Sequence, residues 1–201
     1  MVQVLKPAVR ERIEQAALRC FAEQGYPGTS MARIAAVAGT AVANVYRYVP
    51  SKQALLEAVV PAELADRHDR LLDHRVAALA EGVARSEAAD ELLAFWLDHR
   101  LAVAVLLDRA EGTPYAGYPE AFVARLVAHV EQALPGDPGG DQRELLHLVF
   151  DNTRRALAVV LRTARDREHA QRLVHGFWSY QLPGLDGLVA HLRSAGPGAR
   201  P

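Results

Sequence analysis

The sequence predicts an all-α protein with an N-terminal three-helix head and a larger helical body. Apolar residues recur at three- and four-residue spacing along most of the 201 residues, which is the pattern of helices that bury one face. Breaks rich in glycine and proline, such as GYPG (25–28) and PGDPGG (135–140), separate these stretches. No stretch has the strict alternation of a strand, and half of the residues are hydrophobic, which is ample for a buried core.

The head is predicted from three short helical patterns. The first helix begins near Pro7, where a missing N–H costs nothing, and ends at Gly25. The second starts at the hydroxyl cap Ser30 and stops at Gly39, because glycine takes the left-handed backbone of a helix end without strain. The third spans 42–49. Together they are expected to share a small core of Ile13, Ala17, Phe21, Ile34, Ala38, Val45 and Val49.

The stretch 29–56, TSMARIAAVAGTAVANVYRYVPSKQALL, organises the head. A small-residue helix, a glycine turn and a helix with polar and aromatic side chains together describe a helix-turn-helix, whose last helix enters a DNA major groove. Arginine can make a bidentate contact with guanine, and asparagine with adenine. The side chains of this last helix that suit base edges and phosphates are Asn44, Tyr46, Arg47 and Tyr48.

The charge distribution fits a DNA-binding head on an acidic body. The formal net charge is −1, but residues 1–52 hold seven Lys and Arg against three Glu, a balance of +4. Residues 53–201 hold 16 basic and 21 acidic residues, a balance of −5. A basic segment beside an acidic scaffold indicates a polyanion partner, although chance variation in a short segment is the alternative.

Cysteine usage and hydropathy restrict the compartment. Cys20 is the only cysteine, which excludes an intramolecular disulfide, and its place on the apolar face of the first helix predicts a buried, inert thiol. The N-terminus lacks the apolar core of a signal peptide, and no run approaches transmembrane length. We therefore expect a soluble, cytoplasmic protein.

The body is predicted as a series of amphipathic helices. The first begins at Lys52 after the cap Ser51, and Pro61 divides it because proline interrupts helical hydrogen bonding. The expected helical segments are 52–60, 62–80, 88–109, 120–134, 141–165, 167–181 and 184–193.

The two long helices near the C-terminus, 141–165 and 167–181, carry more apolar residues than one packing face needs; Leu148 and Tyr180 are examples. A helix pair with two apolar faces usually has a second partner, and four helices from two copies form the economical solution. The pattern predicts a homodimer through 141–181, with a thicker monomer core as the alternative.

The head contains a specific set of motifs in register. The residues RIEQAALRCFAEQGYPGTSMARIAAVAG, followed by VYRYVPSKQALL, combine a glycine–aromatic turn, paired hydroxyls, IA…AG, VYRY, SK and LL. Over about residues 8–60 this pattern resembles the tetracycline-repressor-like (TetR/AcrR) transcriptional regulators, and chain length and helical layout extend the resemblance to the whole chain. The family implies a homodimer, most often a repressor that a small molecule releases from DNA. The implied domains are a helix-turn-helix domain at 1–52, an effector-binding and dimerisation domain at 53–195, and a disordered tail at 196–201.

The resemblance also assigns roles to residues of the head. Thr29 and Ser30 match the hydroxyls that begin the second helix near the DNA backbone. Tyr46 matches the family's phosphate-contacting tyrosine, and Lys52 matches the lysine that contacts phosphate from the start of the fourth helix. Because two such heads would act together, we expect an inverted-repeat operator with half-sites about 34–36 Å apart or a multiple of that.

Two positions depart from the family's pattern. Ala41 stands where Ser or Thr often caps the recognition helix, so either Thr40 caps one residue earlier or the helix forgoes a cap worth about 1 kcal/mol. Arg33 stands where an acidic residue is common, and its charge opposes the helix dipole unless a phosphate or base compensates it; a solvated surface arginine is the alternative. The predicted DNA contacts are Thr29, Ser30, Arg33, Asn44, Tyr46, Arg47, Tyr48 and Lys52.

A pocket for an apolar or amphipathic effector is expected among the body helices, where polar and aromatic side chains occur within apolar stretches. For each aromatic residue taken alone, a position in an ordinary hydrophobic core is the alternative to a position in the pocket. The candidate pocket residues are Trp96, His99, Arg100, Tyr115, Phe122, His147, Phe150 and Asp151.

The sequence favours a regulator over an enzyme. Its eight histidines are scattered without an HExxH or other close ligand pair, and it has no glycine-rich phosphate loop or GxSxG elbow. We therefore predict no metal and no cofactor. The alternatives to a ligand-responsive repressor are an activator or a ligand-independent regulator of the same fold, and a helical protein-interaction module that does not bind DNA.

Overall fold

The computed structural model describes residues 6–80, 86–134, 136 and 138–194, and the predicted tail at 196–201 lies outside them. The described residues form helices joined by turns and contain no strand, which confirms the predicted all-α class. The helices are α1 (Pro7–Gly28), α2 (Met31–Val37), α3 (Val42–Tyr48), α4 (Lys52–Val59), α5 (Ala62–Ala80), α6 (Glu87–Asp98), α7 (Arg100–Asp108), α8 (Tyr118–Gln132), α9 (Gly140–Thr163) and α10 (Arg167–Ser194).

The end of α1 contains the break that the sequence predicts at Gly25. This residue has φ 75° and ψ 164°, so the backbone leaves the helical conformation there before a short turn around Pro27. A side chain at such a positive φ would be strained, which explains the glycine. Cys20, one turn earlier on the same helix, is buried, and this burial raises the pKa of its thiol. The predicted inert thiol is confirmed as a buried residue.

The turn between α2 and α3 follows from local chemistry. The Ser30 hydroxyl accepts a hydrogen bond from the Arg33 amide at 3.1 Å and caps α2, as predicted. Gly39 has φ 65°, the left-handed conformation expected after α2. The helices meet over the predicted head core, whose members Ile13, Ala17, Phe21, Ile34, Ala38, Val45 and Val49 are all buried in one cluster.

Helix α4 completes the head. Ser51 caps it through the Ala54 amide at 3.0 Å, and Leu55 and Leu56 are buried in the head cluster. Pro61 separates α4 from α5, as predicted. The head cluster also includes Ala102, Val105 and Leu106 of α7, so the head rests on the body through a shared apolar core.

Helix α7 is the central element of the body, because it packs on α1 at the head side and on α9 at the other. The prediction of one helix at 88–109 is wrong, since the chain bends at His99, which has φ −116° and ψ 26°. No glycine or proline marks this bend. The His99 ring packs on Phe95 with centroids 4.7 Å apart, and this side-chain packing accompanies the change of direction.

The C-terminal helix α10 runs through Pro183, so the predicted separation into 167–181 and a short 184–193 helix is wrong. Proline removes one backbone hydrogen bond and should bend or break a helix. Here Leu185, Leu188 and Leu192, which follow the proline, pack on the body core, and this burial offsets the local cost. Within the described ranges, no helix combines the length and apolar character that crossing a membrane requires.

Candidate DNA interface and effector cavity

The outer face of α3 is the exposed surface of the head. Val45 and Val49 are buried beneath it and anchor the helix. Opposite them, Tyr46 is 51% exposed, and Arg47 and Val42 are exposed as well. The spacing of the two valines therefore turns a cation, a phenol and an apolar side chain outward, which are the groups that contact DNA phosphates, base edges and thymine methyl groups.

The start of α3 has no side-chain cap. Ala41 occupies the cap position, and the Thr40 hydroxyl accepts from the Asn44 side-chain amide at 2.8 Å instead of from a backbone N–H. The helix thus forgoes a cap worth about 1 kcal/mol. The same hydrogen bond holds the Asn44 side chain against the turn, in a half-buried position.

Two of the predicted DNA contacts point inward. Thr29 is 2% exposed, and its hydroxyl lies 2.8 Å from the Gly25 carbonyl oxygen and 3.0 Å from that of Cys20. The Lys52 ammonium donates to the carbonyls of Tyr26 and Thr29 at 2.8 and 2.9 Å. Both side chains therefore close the turn after α1, and their contact with DNA stays a prediction.

The remaining candidates lie at the surface of the head. Ser30 and Arg33 are exposed at the start of α2. The Tyr48 hydroxyl, at the end of α3, accepts a hydrogen bond from the Lys6 amide at 3.2 Å. This contact places the N-terminal start of α1 beside the exposed face of α3.

The body contains a cavity of about 460 Å³ between α5, α6, α8, α9 and α10. Three of the predicted pocket residues, Trp96, Phe122 and Phe150, line it. The other apolar residues of its wall include Leu72, Val76, Leu92, Leu126, Val130, Leu157, Phe177, Trp178, Leu182, Leu185 and Val189.

The other five predicted pocket residues lie elsewhere. His99 is at the α6–α7 bend. Arg100 donates a hydrogen bond to the Leu161 carbonyl of α9 at 3.0 Å. Tyr115 donates to the carbonyl after α4, and His147 is exposed on α9. Asp151 accepts hydrogen bonds from two arginines of its own helix. Each is thus engaged at a helix junction or on the surface, away from the cavity wall.

The polar residues of the cavity wall were not predicted. A helical pattern shows which side chains face a core, but not which faces of five helices surround a common space. Gln181 and Thr153 form one polar pair, with the amide donating to the hydroxyl at 2.7 Å. The other polar lining residues are Arg75, His129, Asp186 and Arg193.

A buried chain of hydrogen bonds begins at the cavity wall. The Trp96 indole donates to Nε2 of His68 at 2.8 Å, so His68 must carry its proton on Nδ1, which donates to the Tyr118 hydroxyl at 2.6 Å. Tyr118 in turn donates to the Asp69 carboxylate at 2.6 Å. Burial lowers the pKa of His68 to about 4 against the opposing effect of Asp69, so the imidazole is neutral at pH 7.

The segment 109–118, which we call the relay loop, connects this chain of hydrogen bonds to the head. The Tyr115 hydroxyl donates to the Val60 carbonyl at 3.0 Å, at the junction of α4 and α5. Gly112 has φ 70°, and a Cβ placed on it would lie 3.6 Å from Cγ of Pro27. The relay loop therefore touches both the end of α1 and the end of α4.

A helix-turn-helix whose core is buried and whose last helix exposes polar side chains is typical of DNA-binding transcriptional regulators. Residues 13–59 match the family model described as bacterial regulatory proteins, tetR family. The N-terminal part of the chain therefore carries the domain that this family model describes.

Similar solved structures cover most of the chain at low identity. A tetR-family transcriptional regulator from Streptomyces coelicolor is 19% identical, with 98% of this chain and 94% of that chain covered and a TM-score of 0.40. NalD, the secondary repressor of the MexAB-OprM multidrug efflux pump in Pseudomonas aeruginosa, is 21% identical, with coverages of 86% and 96% and a TM-score of 0.36. The fatty acid degradation regulator FadR from Bacillus halodurans is 16% identical, with coverages of 98% and 100% and a TM-score of 0.38. No curated protein sequence matches.

Proposed function

We propose that this chain is a homodimeric, cytoplasmic repressor whose affinity for an inverted-repeat operator changes when a small molecule binds in the body cavity. The observation that carries this proposal is the contact between the cavity and the head. Trp96 lines the cavity and is hydrogen-bonded through His68 to Tyr118 of the relay loop. The same loop bonds to the end of α4 through Tyr115. A ligand that displaces Trp96 would therefore act on the element that supports the head.

The exposed face of α3 supports DNA binding. Arg47 can make a bidentate contact with guanine, and Tyr46 can reach a phosphate beside the groove. A helix of seven residues fits the major groove when it lies along the groove floor. Two such helices in a dimer would read half-sites about 34–36 Å apart or a multiple of that.

The size of the cavity supports a ligand. Its volume of about 460 Å³ falls in the usual range for pockets that hold small organic molecules. Exposed residues such as Asp186 and Arg193 form part of its lining, so the cavity is open to solvent and an organic molecule can enter it. The aromatic and aliphatic walls favour an apolar or amphipathic molecule over water.

The outer face of α9 and α10 supports the dimer. Leu148 is 63% exposed and Tyr180 is 75% exposed, and both line a surface groove between these helices. A thicker monomer core would bury such side chains, so their exposure favours a second copy as the partner. The exposed large apolar residues on these two helices are Leu145, Leu148, Val159, Leu173 and Tyr180.

Operator binding by the purified chain tests the DNA-binding part of the proposal. DNA selected in vitro from a random pool should contain an inverted repeat, and its binding should weaken steeply as salt rises. Arg47→Ala should lower the preference for the selected sequence by roughly tenfold, because one bidentate base contact is worth about 1–3 kcal/mol. The matched control is Arg165→Ala, an exposed arginine at the α9–α10 turn. If Arg47→Ala and Arg165→Ala behave alike, α3 does not read the bases.

A reporter gene placed behind the selected operator tests the direction of regulation. Co-expression of the chain should lower transcription, because a dimer on the operator blocks access to the promoter. A rise in transcription would identify an activator of the same fold and overturn the repressor assignment.

A further inference from the structure

An uncharged polar pair lies in the wall of the cavity. Gln181 of α10 is only 8% exposed, and it lines the cavity together with Thr153 of α9. The Gln181 side-chain amide donates a hydrogen bond to the Thr153 hydroxyl at 2.7 Å. Thr153 in turn donates to the Val149 carbonyl of its own helix at 2.8 Å.

The Thr153 hydroxyl determines which atoms of the Gln181 amide stay available. A hydroxyl has one proton, and here that proton goes to the Val149 carbonyl, so Thr153 accepts from Gln181. The atom beside Thr153 is therefore the amide nitrogen Nε2. Within the described part of the chain, the Gln181 side chain makes no other hydrogen bond. Its oxygen Oε1 and its second N–H are thus left for another partner.

The available oxygen of Gln181 lies on the cavity side of α10. Gln181 borders both the cavity and the surface groove between α9 and α10, but of the described residues in these two walls Thr153 belongs only to that of the cavity. Because Nε2 is bonded to Thr153, the amide group as a whole is beside the cavity. A buried acceptor is unfavourable without a donor. Water can supply that donor in the empty cavity, and a ligand that displaces the water must supply its own.

The charged residues of the cavity wall are solvated or already engaged. Asp186 and Arg193 are exposed at the rim, where water screens their charges. Arg75 is buried, but its guanidinium is already engaged, with the Ser86 hydroxyl at 3.4 Å among its contacts. Burial lowers the pKa of His129, which favours its neutral form at pH 7. A ligand that carried a charge into this interior would lose its hydration, so an uncharged ligand is favoured.

We propose that the cavity binds an uncharged amphipathic molecule that donates a hydrogen bond from a hydroxyl or amide group to Oε1 of Gln181. This inference rests on the proposed effector role of the cavity. The apolar part of the molecule packs on the aromatic wall, which includes Trp96, Phe122 and Phe150. Thr153 is a positioning residue, because its bond to Nε2 leaves the amide oxygen for the ligand. A molecule that has only acceptors leaves Oε1 without a partner.

The two tryptophans of the chain, Trp96 and Trp178, both line the cavity, so their emission reports its occupancy. The first two probes are isomers: 1-octanol, which can donate a hydrogen bond, and methyl heptyl ether, which cannot. 1-Octanol should bind about fivefold more tightly, because one hydrogen bond contributes about that factor. In a wall without a partner the order is reversed, since the hydroxyl loses its water without replacement. Octanoate and octylammonium, titrated at pH 7, should bind more weakly than 1-octanol.

Two variants test the assigned contact. Gln181→Met keeps the length of the side chain and removes the amide, so the preference for 1-octanol over the ether should disappear. The matched control is Gln171→Met, on the same helix and not among the described residues that line the cavity, which should keep the fivefold preference. Thr153→Val removes the acceptor that holds Nε2 and frees the amide to donate to the ether oxygen. This variant should reduce the preference to about twofold or less.

Different outcomes distinguish this inference from the function on which it rests. If the ether binds the unmodified chain as tightly as 1-octanol, or if either charged probe binds more tightly than 1-octanol, the cavity takes ligands but our assignment of their polar group is wrong. A preference for 1-octanol that persists in Gln181→Met would assign the contact to another residue. If no probe changes the tryptophan emission, the inference and the effector role of the cavity both fail. The isomer comparison and Thr153→Val decide between these outcomes even if Gln181→Met does not fold.

Discussion

His68 occupies a site that accepts only a neutral imidazole. Its Nε2 accepts a hydrogen bond from the Trp96 indole, and its Nδ1 donates one to the Tyr118 hydroxyl. Both ring nitrogens of this buried residue are therefore already engaged. A second ring proton would oppose the indole N–H and leave a charge without solvent. This is the physical reason that the folded protein lowers the pKa of His68 to about 4, whereas an unfolded chain leaves it near 6.5.

The stability of the chain should therefore fall in mild acid. Between pH 6.5 and pH 4, His68 binds a proton in the unfolded chain but stays neutral in the folded chain. The free energy of unfolding therefore decreases as pH falls through this range and levels off below pH 4. The loss from this residue should be about 3 kcal/mol. Urea unfolding at several pH values checks it. His68→Leu should lack this part of the slope, whereas His147→Leu, at an exposed position, should keep it. Equal slopes in the two variants would contradict the assignment.

We expect Val42 to give the uncapped start of α3 a role in DNA recognition. Its side chain is exposed on the surface that we propose faces the groove, where an apolar group can contact a thymine methyl. Replacing the contacted thymine of the selected operator by uracil removes that methyl, and the affinity should fall about fourfold, since burial of one such group is worth about 0.8 kcal/mol. Fluorescence anisotropy with a series of single uracil substitutions measures the effect. Val42→Ser should make the chain insensitive to the substitution, and continued sensitivity would mean that another residue makes the contact.

At the residue scale, local chemistry was predictable and side-chain direction was not. Ser30, Ser51 and Gly39 act as the sequence predicts because their effects depend on backbone atoms within four residues. Lys52 was predicted to face DNA, but it donates to carbonyls 23 and 26 positions away along the chain. Such a contact exists only after the turn behind α1 has come into place, so no local pattern could indicate it.

At the scale of elements, α9 and α10 have one face toward the body core and another toward solvent. Their exposed apolar residues are the surface on which we expect the second copy to dock. Leu148→Glu should weaken the dimer by about a hundredfold or more, because association would bury a carboxylate without a partner. Analytical ultracentrifugation over a range of concentrations measures this. The control is Ala128→Glu, which adds the same charge at an exposed position of α8. A dimer that tolerates Leu148→Glu must use another surface.

Neither wrong helix boundary follows the local turn residues. The bend at His99 has no glycine or proline to mark it, and Pro183 marks a break that does not occur. After Pro183 the burial of Leu192 in the body core keeps the chain helical, whereas the Phe95 ring that packs on His99 lies one turn earlier on α6 itself. The breaks at Gly25 and Pro61 were predictable because there the local backbone preference and the packing agree.

At the scale of the whole molecule, we propose that the relay loop is one element through which cavity and head influence each other, beside the apolar core that α7 shares with the head. Tyr115→Phe keeps the ring and removes only the hydroxyl that donates to the Val60 carbonyl. We expect a ligand that releases the operator to bind this variant with its usual affinity. The ratio of operator affinities without and with the ligand should move toward one, from the 5- to 150-fold typical of such coupling. Parallel titrations of ligand and operator check both quantities, and an unchanged ratio would exclude this hydrogen bond from the coupling.

The division into a helix-turn-helix head and a helical body was predictable from periodicity, turn residues and charge. The position of the cavity was not, since it depends on how five helices surround a common space. Trp96, Phe122 and Phe150 line the cavity because large aromatic residues in apolar helices face the interior, and their contact with a ligand stays a prediction. Arg75 and Gln181 also line it but were not among the predicted residues, because a polar residue near a helix end reads in the sequence as a solvent-exposed one.

The burial of Cys20 makes the chain convenient for distance measurements. The only thiol of the chain, that of Cys20, is buried in the head and has a raised pKa. A maleimide spin label should therefore leave Cys20 unreacted and react with a cysteine introduced at the surface. Gln15, exposed on α1, offers one such position in each head. Electron paramagnetic resonance between two labelled heads of a dimer would then report their separation in solution, with and without a ligand in the cavity. Cys20 would not have to be replaced for this measurement.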